Sequence, residues 1–200
     1  ALRNRQTVLA LKNPNIFHGA LERASSNRNI RQLWRVDQVN GATYLLVLTY
    51  DTVNFDAIVR QFGFVKEGFE RVCYDGLLSR IEVGSFWRFL LVANPTYRGH
   101  AEKDSRGILH AHNSVEFQKE WLAQKAASNG FSILENSVGV TTSELLSFKK
   151  GRDGKRLTFR RVTFEGVLRV EDVGLFRDAL VNGIGRAKAY GMGLITVARL

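Results

Sequence analysis

His18 stands between Phe17 and Gly19 in the stretch NPNIFHGALERASS, with Asn15, Arg23 and Ser26 close by. An imidazole with an ordinary pKa near ~6.5 exchanges protons at neutral pH, which general acid–base catalysis requires. The competing account of His18 is a partly buried structural histidine. Asn15 offers an amide that can orient a phosphate or a water but cannot serve as acid or base. Arg23 carries a permanent charge suited to an anionic transition state. On a helix, Ser26 at i+8 shares the face of His18, whereas Arg23 at i+5 lies about 140° away and reaches it only through its length. Elsewhere, His110 and His112 form an H-A-H step with His100 and Asp104 near. No helix or strand signal fixes ligand geometry there, so no metal site is expected. The single Cys73 excludes an internal disulfide and a multi-cysteine zinc site.

Two basic stretches point to phosphate. GIGRAKAYGMG, residues 183–193, combines Gly183, Gly185, Gly191 and Gly193 with Arg186 and Lys188. A dinucleotide fingerprint must follow a strand and open a helix, and this stretch does the reverse. A Walker loop also fails, because Ala189 follows Lys188 where Ser or Thr is needed. The remaining reading is a helix-to-strand connection whose missing side chains let a nucleic-acid backbone approach peptide N–H groups. Arg186 and Lys188 would then neutralise phosphates, the plainer alternative being a helix cap at Gly183 followed by a turn. The second stretch, KKGRDGKR, places Lys149, Lys150, Arg152, Lys155 and Arg156 around one turn, with Arg160 and Arg161 beyond. It is either a solvated turn or a phosphate-binding hairpin.

The whole chain supports the second choice. Its 29 Lys and Arg against 19 Asp and Glu leave a formal charge of +10, which favours a polyanionic partner through counterion release. No aromatic signature of single-strand RNA binders is evident in the chain. The apolar content of 44% allows a real core, and no apolar run approaches the ~20 residues of a membrane helix. A cytoplasmic protein is the default expectation.

The elements that must hold these residues follow from periodicity. A helix is predicted from Asn13 as cap and Pro14 at its first turn, with Ile16, Ala20 and Leu21 at helical spacing. A hairpin turning at Asn40-Gly41 follows, then the short helix NFDAIVRQFG and the strand GSFWRFLLVAN, ended by Pro95. Residues 97–113 are polar and aperiodic, a linker or large loop. NSVEFQKEWLAQKAASNG is predicted as a helix with the stripe Phe117, Trp121 and Leu122. Then come the strand FSILENSVGV, a long hairpin turning at Asp153-Gly154, a helix capped by Asp172 and ended at Gly183, and a last strand MGLITVAR. The order predicts an α+β protein of two tandem ferredoxin-like (RRM-like) domains, residues 1–96 and 114–200, the first lacking its opening strand.

The terminal pattern G-x-G-x-x-K-x-x-G-x-G-L resembles the glycine-rich loop of CRISPR repeat-cleaving endoribonucleases, of the CasE type in type I-E Cascade. NPNIFHGAL is similar to that family's first helix, LWRVD to its second strand, FWRFLLVANPTYR to the strand ending its first domain, and FEGVLRV to a strand of its second. The resemblance implies two ferredoxin-like domains and metal-independent, cofactor-free cleavage of CRISPR repeat RNA at the 3′ base of its stem. Attack by the 2′-hydroxyl would leave a 2′,3′-cyclic phosphate and a 5′-hydroxyl, with the mature guide RNA retained. It further implies that His18 matches the catalytic histidine, Arg23 a lysine of relatives, and Ser26 a family serine. Asn15 stands where relatives often place a tyrosine, which leaves a non-catalytic RNA-binding subunit as the alternative. The implied partners are the repeat stem-loop, the guide RNA and other Cascade subunits, with no membrane.

Overall fold

The computed structural model describes residues 4–27, 29–50, 53–63, 68–99, 107–151 and 154–200. Two helices open it, α1 (Arg5–Lys12) and α2 (Asn15–Ala24). The Asn4 side chain caps α1 by accepting from the N–H groups of Gln6 and Thr7. The single helix predicted from Asn13 is therefore only the second of a pair. The first escaped because RQTVLALK buries just Thr7 and Ala10, too few apolar residues to show a stripe.

β1 (Leu33–Val39) and β2 (Ala42–Leu48) pair antiparallel about Asn40-Gly41, both at positive φ, as a two-residue hairpin turn requires. α3 (Phe55–Phe62) is capped by Asn54 and closes this half. Phe17, Ala20 and Leu21 of α2 pack with Trp34, Ile58 and Phe62, and the Phe17 ring lies 5.4 Å from Trp34 and 4.7 Å from Phe62. Helix, strand, strand and helix form the inner part of a ferredoxin-like unit.

The second half completes that pattern. After the single turn α4 (Asp75–Leu78) come β3 (Phe86–Ala93), a small hairpin of β4 (Thr96–Arg98) and β5 (Leu109–Ala111), and α5 (Val115–Ser128). β6 (Phe131–Ile133), β7 (Gly139–Lys149), β8 (Arg156–Val170), α6 (Val173–Asn182) and β9 (Ile195–Arg199) follow. The sheet runs β6-β8-β3-β9, with β7 also on β8, and every pairing is antiparallel. Taken from β3, the order is strand, helix, strands, helix, strand, with β3 between β8 and β9. No helix among the described residues is long and apolar enough to cross a membrane.

β3 corrects the predicted division of the chain. The sequence order places it in a first domain ending at residue 96, yet it is an inner strand of the second sheet. The second unit thus begins near residue 86, and the predicted linker 97–113 contributes β4 and β5 within it. The reason is visible in the strand: Leu91, Val92 and Ala93 are all buried, so it needs cover on both faces and partners on both edges. On α5, Trp121 and Leu122 are buried as predicted, but Phe117 is 55% exposed. Gln118 turns inward instead, its amide donating to the His112 carbonyl at 3.0 Å and to Ser143 Oγ at 3.0 Å.

One buried cation ties the halves together. Arg35 on β1 donates to the carbonyls of Leu90 (3.1 Å) and Leu194 (2.9 Å) and to Thr196 Oγ1 (2.9 Å) in the second sheet. Its remaining donors grip Asp37 at 2.6 and 2.7 Å in a bidentate pair.

Candidate active site

Because Phe17, Ala20 and Leu21 face the core, His18 and Glu22 are left on the adjoining stripe of α2, beside a cleft of about 610 Å³. His18 Nε2 stands 3.3 Å from Glu22 Oε1, an ion pair whenever the imidazole is protonated. The His18 side chain is 31% exposed, open to a ligand while held by its own helix. Arg31 and the loop residues Gly185, Arg186 and Lys188 complete the rim, so three cations share the cleft with one histidine and one carboxylate. Burial holds the Lys188 ammonium below its ordinary pKa of 10.5, and the nearby Arg31 charge lowers it further. A phosphate entering here would meet unspent positive charge in a partly desolvated setting. Two cleft-lining residues, Gln32 and Trp34, bury the polar atoms Oε1 and Nε1 without a hydrogen-bond partner among the described residues.

The glycine loop is built against the protein before it meets any ligand. Gly183, Gly191 and Gly193 are buried, and only Gly185 remains half-buried on the cleft. Gly183 has φ 72°, and a Cβ there would come within 2.9 Å of Leu33 Cδ1. Gly191 has φ 78°, and its Cβ would lie 2.7 Å from the Trp34 ring. Packing against the first half accounts for both, so the expectation that all four glycines admit an RNA backbone is narrowed to Gly185. Between them, Lys188–Tyr190 form one 3₁₀ turn bracketed by left-handed Ala187 (φ 63°) and Gly191. That turn sets Tyr190 edge-on to His18 at 6.3 Å, with the other flank of its ring 5.1 Å from both Phe148 and Phe159 of the β7–β8 hairpin.

The remaining predicted residues divide. Asn15, Arg23 and Ser26 are not among the described residues lining the cleft. Arg23 lies back along α2, where a Cβ at Gly19 would stand 3.3 Å from its Nη1. Asn15 sits in the first turn of α2, and Asn13 beside it donates from Nδ2 to the Lys149 carbonyl at 3.3 Å, joining that turn to the basic hairpin. Lys149, Lys150, Lys155 and Arg156 are exposed at the hairpin tip, closed by Lys150 N–H to Lys155 carbonyl at 3.3 Å. Arg152, Asp153, His100 and Asp104 lie outside the described residues. Arg160 and Arg161 are committed internally, to Asn113 Oδ1 at 2.8 Å and to Glu144 Oε1 at 2.5 Å. His110 and His112 pack on Tyr97 at 5.4 and 4.9 Å between ring centroids. Sequence reasoning missed Glu22, Arg31 and Tyr190. The i,i+4 spacing of His18 and Glu22 was a usable signal; Arg31 and Tyr190 reach the site only through tertiary contact.

The chain is similar along nearly its whole length to known proteins. The family model described as "CRISPR associated protein" matches residues 1–199. The CRISPR-associated endoribonuclease Cse3 of Thermus thermophilus is 29% identical, over 94% of this chain and 91% of its own. A structure of CRISPR endoribonuclease Cse3 bound to a 19-nucleotide RNA superposes with a TM-score of 0.78 at 27% identity, covering 97% of this chain and 94% of that one. A chain of a CRISPR RNA-guided surveillance complex in a pre-nicking state gives a TM-score of 0.71 at 27% identity, covering 100% and 96%.

Proposed function

The chain belongs to the CRISPR-associated protein family, and from that membership we infer that it is an endoribonuclease that binds and cleaves CRISPR repeat RNA. The observation that carries the reading is His18 set at the rim of a cleft with Arg31, Arg186 and Lys188. RNA supplies its own nucleophile. The 2′-oxygen bonds to the adjacent phosphorus, the bond from phosphorus to the 5′-oxygen breaks, and a 2′,3′-cyclic phosphate and a 5′-hydroxyl result. One proton leaves the 2′-hydroxyl and one reaches the departing 5′-oxygen. His18 is the group at the cleft suited to such transfer, and Glu22 Oε1 orients and stabilises its protonated form. Lys188, Arg186 and Arg31 offset the charge that gathers on the phosphoryl oxygens. Asn15 and Arg23 belong to the surrounding α2 surface, while α2 ends at Ala24 and leaves Ser26 past its cap rather than on the face of His18; Arg23 and Ser26 can meet RNA beyond the scissile bond. The exposed hairpin cations Lys149, Lys150, Lys155 and Arg156 are placed to follow the phosphates of a paired stem, with Arg152 at the same turn. Cleavage at the 3′ base of that stem, retention of the guide RNA, work within Cascade and a cytoplasmic setting complete the proposal.

The test is incubation with a repeat hairpin in EDTA, comparing wild type with His18→Ala. Wild type should cut and leave a cyclic phosphate end. The variant should lose roughly 10²–10⁴-fold in rate while hairpin affinity stays within a few-fold. Equal cutting by the variant removes His18 from the reaction. Binding without cutting by wild type favours the non-catalytic alternative, which the amide at Asn15 makes the natural rival.

A further inference from the structure

A second cleft, of about 450 Å³, is bounded by Tyr97, Arg98, Lys125 and Trp121 and shares Gly185 and Arg186 with the first, so the two adjoin there. Its lining carries three cations, Arg98, Lys125 and Arg186, and no carboxylate among the described residues. At its edge stands a run of rings, one pair stacked and two tilted. Tyr97 lies against His110 at 5.4 Å with 27° between planes and against His112 at 4.9 Å, and His112 continues to Phe117 at 6.0 Å. Tyr97 is 48% exposed, far from saturated by these neighbours. The β4–β5 register, pairing Tyr97 with His110, builds this platform directly.

Resting on the RNA-cleavage reading above, we propose that this second cleft binds the single-stranded nucleotides that flank the repeat stem. A basic groove beside exposed rings is the means by which proteins hold unpaired RNA, the cations following the backbone and the rings stacking on bases. None of these residues lies on the β7–β8 hairpin or on α2, so the cleft adds to stem recognition rather than repeating it. It also explains why the chain carries rings there at all: Tyr97, His110 and Phe117 bury little of themselves in the core.

The experiment measures anisotropy with a bare repeat hairpin and with the same hairpin carrying a short unpaired extension at its 5′ or its 3′ end. The proteins are wild type, Tyr97→Ala, Tyr97→Phe and the pair Arg98→Ala with Lys125→Ala. Wild type should bind at least one extended hairpin more tightly than the bare one. Tyr97→Ala should lose about tenfold on that RNA. Tyr97→Phe, which keeps the ring, should lose little, and all three variants should bind and cleave the bare hairpin as wild type does. An extension that adds no affinity to wild type, or a gain that every variant keeps, overturns the proposal and leaves the exposed Ile108, Leu109 and Phe117 as a protein-facing patch. If wild type fails to bind or cut the bare hairpin, the functional reading itself fails, a distinct outcome.

Discussion

Replacing Gly191 by alanine asks what the terminal glycines are for. The residue holds φ 78°, a conformation that costs alanine about 1–2 kcal/mol. The added Cβ would also stand 2.7 Å from Cζ3 and 3.0 Å from Cη2 of Trp34, a buried ring already held by Phe17. Overpacking of that kind costs about 1–3 kcal/mol, since the ring can move only by displacing its neighbours. Together these give about 2–5 kcal/mol, or a fall in Tm of roughly 5–15 °C for a protein of this size. Gly185→Ala is the matched control: it has φ 82°, but its Cβ would meet the edge of Trp121 at 3.1 Å, a looser approach. Its loss should be smaller by about the overpacking difference, some 1–2 kcal/mol. Calorimetry of the three proteins decides the stability question, and hairpin affinity measured well below every midpoint decides the functional one. A Tm for Gly191→Ala within about 2 °C of wild type refutes the packing argument. Unchanged stability with lost affinity would return Gly191 to contact with RNA.

Three further outcomes follow from particular contacts. Changing Lys155 and Arg156 together to alanine should flatten the slope of log K against log salt by somewhat under ~2 for the hairpin, with a smaller effect on an unstructured RNA of equal length; an equal loss on both returns the turn to mere solvation. Arg35→Ala removes a cation bound to Leu90, Leu194, Thr196 and Asp37, and should cost about 3–5 kcal/mol in denaturant unfolding, because Asp37 and two carbonyls lose their partner. Lys188, held below its usual 10.5 in the free protein, should take up a proton when a phosphate settles beside it, so binding at alkaline pH should show a calorimetric heat that varies with buffer ionisation enthalpy. Lys188→Met should abolish that variation.

What the sequence disclosed depended on how local the signal was. The Asn40-Gly41 hairpin, the cap at Asp172 and the paired basic turn were legible because each follows from residues within one or two turns of chain. β3 was misassigned for the converse reason: FWRFLLVA announces a buried strand but carries nothing to say which sheet buries it. Arg35 was similarly opaque, since within LWRVD it has the pattern of a surface charge. His18 was legible as a candidate proton carrier, whereas Arg31 comes to the cleft through the non-periodic connection between α2 and β1 and Tyr190 only when the second half packs against the first.

That closure gives the glycine pattern a physical account that composition alone did not. Gly183 and Gly191 let the loop lie flush on Leu33 and Trp34, and this contact fixes where Lys188 and Tyr190 fall. Tyr190 then touches His18 of the first half and Phe148 and Phe159 of the second. Tyr190 and its 3₁₀ turn thereby link the basic hairpin to His18, so on the proposed reading a stem seated on the exposed hairpin cations would present its base toward His18. A loop tuned only for contact with RNA would keep its glycines at the surface. Burial of three of the four indicates that the loop acts first as a joint between the two halves, leaving Gly185, Arg186 and Lys188 as its positions on the cleft.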